Sequence, residues 1–91
     1  MVTTAQSMAV KRIEQIVSET QHRCTTSSLD EISACFEKDL GEVTNLVKEH
    51  GLDKQLAESF YERAVKIILA QAEKERKFAW AANFAKKYMK E

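Results

Sequence analysis

Four side chains in this sequence have the chemistry to hold a metal ion or to act as nucleophile and base: His22, Cys24, Cys35 and His50. Thiolate and imidazole are the usual zinc ligands, and a cysteine beside a histidine is a common thiol nucleophile. Structural zinc ligands come in close pairs, whereas here the order is H-x-C, ten residues, C, fourteen residues, H, which fits no common arrangement. The four also fall on different parts of the chain, with His22 and Cys24 at one helix end, Cys35 inside a second helix and His50 at its C-terminus. They are read as structural, with no metal and no cofactor. The sequence also has no glycine-rich phosphate loop and no nucleophile elbow, so an enzyme is not expected.

The elements that carry these residues follow from composition. At 91 residues the chain is a single domain, near the size at which one hydrophobic core is only just sufficient. Apolar residues make up 44% and charged residues 31%, an ordinary globular balance. There is no proline and there are only two glycines, so long helices are expected and the fold class is all-α. No stretch approaches the roughly 18 apolar residues of a membrane span, and the N-terminus lacks the apolar run of a signal peptide. A cytoplasmic protein with reduced cysteines is expected, and a membrane partner is not.

Helical spacing and capping signals predict helices over about 4–23, 28–50, 53–75 and 76–90, the last two either separate or continuous. Thr3 with Gln6 fits a capping box, and Ala5, Met8, Ala9, Ile13, Ile16 and Val17 form the first apolar stripe. The polar run CTTSS should be a loop, because short hydroxyl side chains compete for backbone hydrogen bonds. Ser28 with Glu31 makes a second capping box, Gly51 has the form of a glycine C-cap, and Asp53 can cap the next helix at once. From Asp53 to Lys90 no breaker occurs. One helix of that length would measure about 57 Å, against about 25 to 30 Å for a compact domain of this size. Either it breaks within Gln71 to Lys77, or its far end projects onto another chain. A three- or four-helix bundle with a long C-terminal helix is therefore expected.

The stretch SLDEISACFEKDLGEVTNLVKEHGL, residues 28 to 52, permits two readings. As one helix it aligns Leu29, Ile32, Phe36, Leu40, Val43, Leu46 and Val47 on a single face. As two helices with a turn at Glu37-Lys38 it resembles the helix-turn-helix family, with Ile32, Phe36, Val43 and Leu46 at the core positions and Ser33 at the small-residue position. That resemblance implies a recognition helix in the major groove, with Thr44, Asn45 and Lys48 as base and phosphate contacts. Its groove-facing surface would also carry Asp39 and Glu42, which repel phosphate.

The last residues, RKFAWAANFAKKYMKE, place Phe78, Ala81, Ala82, Ala85, Tyr88 and Met89 on one helical face, widened by Trp80 and Phe84. Aromatic stripes at this spacing belong to a core or an obligate interface, so Phe78, Trp80, Phe84, Tyr88 and Met89 are the candidate partner or dimer contacts. Charge is segregated: residues 28–53 carry two lysines against seven carboxylates, and residues 63–90 carry eight basic against two acidic side chains. Complementarity within the molecule or between subunits is the simplest account. Residues 51 to 75, GLDKQLAESFYERAVKIILAQAEKE, also resemble the last helix of the small all-helical chorismate mutases, which implies a dimer with an active site of arginines, a lysine, a glutamate and a glutamine. The helix before it is far more acidic than in that family, and no matching arginine pattern lies upstream. The reading adopted is a non-catalytic helical protein–protein interaction or regulatory module, self-associating as a homodimer through its C-terminal helix. The alternative is a helix-turn-helix transcriptional regulator that binds DNA.

Overall fold

Two short polar side chains set where the central helices begin. Ser28 Oγ accepts a hydrogen bond from the Glu31 N–H at 3.3 Å, and Asp53 Oδ1 accepts one from the Gln55 N–H at 2.9 Å. Each satisfies a donor that has no partner inside its own helix. In the computed structural model, which describes residues 4–88, these caps open α2 (Leu29–Glu49) and α3 (Lys54–Lys74). Helix α1 (Thr4–Thr26) precedes them and α4 (Phe78–Tyr88) follows. The described residues thus form an all-α fold. The capping role given to Thr3 and the interface role given to Met89 lie outside the described residues.

The first helix runs three residues further than expected, so CTTSS is not a loop. Thr25 and Thr26 donate their hydroxyls to the His22 carbonyl, at 2.7 and 3.3 Å, and so bond back onto the helix instead of interrupting it. Only Ser27 and Ser28 separate α1 from α2.

Helix α2 stops at Gly51, whose φ of 62° turns the chain so that the Leu52 N–H bonds the Val47 carbonyl at 2.9 Å. The same closure ends α3, with an arginine where glycine is usual. Arg76 has φ 59°, its N–H bonds the Glu73 carbonyl at 3.0 Å, and the Lys77 N–H bonds the Ala72 carbonyl at 2.9 Å. Residues 53–90 are therefore not one helix, and the last helix is short, at 11 residues, where a long one was expected. A left-handed non-glycine residue costs about 1 to 2 kcal/mol. Folding α4 back buries Ala81 and Phe84, and one well-buried phenylalanine alone offsets that cost at about 1.5 to 3 kcal/mol.

Helices α2 and α3 are antiparallel neighbours and form the middle of the molecule. Helix α1 packs on one side of the pair and touches both, whereas α4 lies on the other side against α3, with no Cα within 8 Å of α1 or α2. The core joins Ile13, Ile16 and Val17 of α1, Leu29, Ile32, Phe36, Val43 and Val47 of α2, Phe60, Ala64, Val65, Ile68 and Ala72 of α3, and Ala81 and Phe84 of α4. Ala5 and Met8 lie outside it, Met8 at 66% exposure, because successive residues turn 100° and Met8 falls beyond the edge of the Ala9 to Thr20 stripe.

Acidic α2 is neutralised mainly by α1. Arg23 Nη1 meets Asp39 Oδ2 at 2.7 Å, and Arg12 Nε meets Glu42 Oε2 at 2.7 Å. Arg63 of α3 pairs with Glu14 of α1 at 2.9 Å. Asp39 is 7% exposed, so removing Arg23 leaves a buried carboxylate without its counterion. Arg23→Ala is expected to destabilise the fold by about 3 kcal/mol. Arg63→Ala, which opens a solvent-exposed pair, should cost no more than about 1 kcal/mol. Urea denaturation of the two variants checks the ranking. In the same assay Arg76→Gly should stabilise by about 1 kcal/mol, since glycine adopts the left-handed turn without steric cost.

Candidate functional site

Helix α4 is half as long as the helix it packs on, 11 residues against 21, and it covers only half of the face that α2 and α3 present on its side. Its hold on that half is made by side chains. Phe36 of α2 meets Phe84 at 6.0 Å and Tyr88 at 5.1 Å between ring centroids, the latter edge-on at 82°. Trp80 stacks on Phe84 at 5.1 Å, and its indole N–H donates to Asp30 at 3.1 Å. At the other end Lys87 donates to Glu37 at 2.8 Å, the Tyr88 hydroxyl donates to the same carboxylate, and the Tyr61 hydroxyl donates to the Tyr88 carbonyl. These contacts fix the direction of α4: Trp80 lies level with Asp30 and Tyr88 level with Glu37 and Tyr61. It therefore runs parallel to α2 and antiparallel to α3.

Among the described residues, none of α4 lies over this face beyond Tyr88. Leu40, Thr44 and Val47 of α2 stand opposite Tyr61 and Ala57 of α3, and Leu52 in the tight connection closes the far end. The result is an apolar trough between two helices, with Lys48 and Lys54 on the rim at the connection end and Glu58 and Glu62 on the rim nearer α4. Helical spacing explains the lining. Lys54, Ala57, Glu58 and Tyr61 recur at three- and four-residue steps on α3, as do Leu40, Thr44, Val47 and Lys48 on α2. A second groove runs between α2 and α4, bordered by Asp30, Ser33, Glu37, Trp80, Asn83 and Lys87, and it is more polar.

The candidate partner residues of α4 separate into two groups. Phe84 is buried, and Tyr88 and Trp80 are half-buried against the molecule's own core. Phe78 points out at 61% exposure, and Ala82 is exposed beside it. The buried face is thus Trp80, Ala81, Phe84, Ala85 and Tyr88, rotated from the stripe drawn through Phe78 and Ala82. The rotation follows from the turn at Arg76, which brings α4 back along α3 and lets Phe84 and Tyr88 reach Phe36.

Thr44, Asn45 and Lys48 are all exposed, on one uninterrupted helix that passes through Glu37 to Leu40 without a turn. Asp39 and Glu42 face α1, where arginines hold them, instead of sharing a surface with Thr44 and Lys48. Cys24 and Cys35 are free thiols, both half-buried, and burial pushes the Cys24 thiol up. Among the described residues no three His, Cys, Asp or Glu side chains come together as metal ligands. The hydrogen bond from Lys87, and then that from Tyr88, holds the Glu37 carboxyl below the usual carboxylate range. Its contribution to docking α4 is therefore complete above that range and is lost as pH falls through the folded value. Acid titration should change Trp80 fluorescence before the far-UV helix signal falls, and Glu37→Gln should remove most of that early change. Compared with known protein families, curated proteins and solved structures, the chain has no match.

Proposed function

We propose that this chain is a non-catalytic protein–protein interaction module whose docking surface is the open half of the α2/α3 face. The observation that carries this reading is the trough itself. An apolar floor of Leu40, Val47, Leu52, Ala57 and Tyr61 lies between two helices, rimmed by charge, next to a half that a helix of the same chain already fills. A groove of this shape takes the apolar face of a helix, a recurring mode of peptide recognition. Aromatic and aliphatic side chains framed by lysines and glutamates make an apolar centre with a polar rim, the usual anatomy of a specific interface. Exposed Phe78 adds a second apolar element on the outer side of α4.

A photoreactive amino acid at Thr44 should give a discrete crosslinked protein adduct in a cell extract, and the same residue at Lys11, on the outer side of α1, should give none. Ala57→Arg, which fills the trough floor with a charged side chain, should suppress the Thr44 adduct while leaving the helix content unchanged. Adducts that are equally strong at both positions, or that survive Ala57→Arg, count against the reading.

A further inference from the structure

The ridge and the trough sit end to end on one face of the molecule; they match in length, and the lysine at one end of the ridge is opposite in charge to the glutamates at one end of the trough. On α4 the outward side runs from Phe78 through Ala79 and Ala82 to Lys86, all exposed, nine residues from first to last. The trough wall on α3 runs from Lys54 through Ala57 to Glu62, also nine residues. Both spans measure about 12 Å at helical rise. A two-fold axis placed at the Tyr61–Tyr88 boundary, perpendicular to the helices, lays the ridge of each copy along the trough of the other. It also runs the incoming α4 parallel to the receiving α3.

From this geometry we infer that the trough receives α4 of a second copy of this chain, and that the two copies exchange these contacts reciprocally. The inference rests on the interaction-module reading and names its partner. In that register Phe78 of one copy reaches the apolar end of the other's trough, between Val47 and Leu52, where Lys48 and Lys54 lay their stems along the ring. Lys86 arrives at the opposite end, beside Glu58 and Glu62. None of these three has an ion-pair partner among the described residues. Ala82 passes over Ala57 and Thr44, where small side chains on both surfaces let the helices approach. The reverse orientation fails, because it sets Lys86 against Lys48 and Lys54 and leaves Phe78 between glutamates. A self-complementary patch of this kind closes at two copies and does not propagate into a fibre.

Sedimentation equilibrium of the 91-residue chain tests the arrangement. The wild type should be a dimer. Phe78→Glu should raise its dissociation constant about tenfold or more without loss of helix content, since this ring contributes nothing to the monomer core. Lys86→Glu should weaken the dimer, and adding Glu58→Lys and Glu62→Lys to that variant should restore it. A monomeric wild type, an unchanged Phe78→Glu dimer, or no recovery in the triple variant would each overturn the inference. Crosslinking from Thr44 in the purified chain keeps this apart from the broader reading. A homodimer adduct supports the exchange. If the purified chain gives no adduct while a cell extract still does, the trough binds a different protein and the second-copy inference falls alone.

Discussion

Phe36 holds the two halves of the molecule together. Its ring, 1% exposed, meets Phe60 and Tyr61 from α3 and Phe84 and Tyr88 from α4, with centroids between 5.1 and 6.3 Å. The backbones of α2 and α4 never approach, so this side chain with the rings around it, together with the hydrogen bonds to Asp30 and Glu37, spans the distance between them. Edge-on and tilted ring pairs add about 0.5 to 1.5 kcal/mol each beyond the area they bury. The position of α4, the end of the covered half and the start of the trough are therefore all fixed by where one phenylalanine sits on α2.

What the sequence made legible was local. Ser28, Gly51 and Asp53 act within a few residues of themselves, so their caps are readable from neighbours alone, and the α2 stripe from Leu29 to Val47 kept its phase because helical geometry is set by the chain itself. Features that depend on a distant partner were not readable. Asp39 is a carboxylate in an acidic stretch until Arg23, 16 residues earlier, is brought against it. Arg76 carries no propensity for a left-handed turn; the turn is imposed by the packing of Phe84 and Tyr88, whose partner Phe36 lies in another helix. The face of α4 that is buried likewise depends on that turn, which is why Phe78 and Ala82 leave the expected face while Trp80 and Phe84, at its edge, lie within it.

The trough is the extreme case. Leu40 and Val47 belong to a recognisable apolar stripe, but Ala57 and Tyr61 read as ordinary positions of an amphipathic helix, and nothing in spacing says that the described part of α4 does not reach over them. Among the described residues, 11 of α4 lie on the 21 of α3, which leaves this surface uncovered. Segregated charge takes on a different meaning in this light. The arginines of α1 hold Asp39 and Glu42 of acidic α2, whereas Lys86 and, on α3, Glu58 and Glu62 have no ion-pair partner among the described residues.

Because α4 is joined to α2 by rings and side-chain hydrogen bonds alone, its detachment breaks no backbone hydrogen bond within the other three helices. That makes it a separate cooperative unit, with an opening free energy below that of the remaining bundle. Its amides should exchange with solvent as a block, ahead of those in α2 and α3. Such a segment can spend part of its time away from its seat while the rest of the protein stays folded.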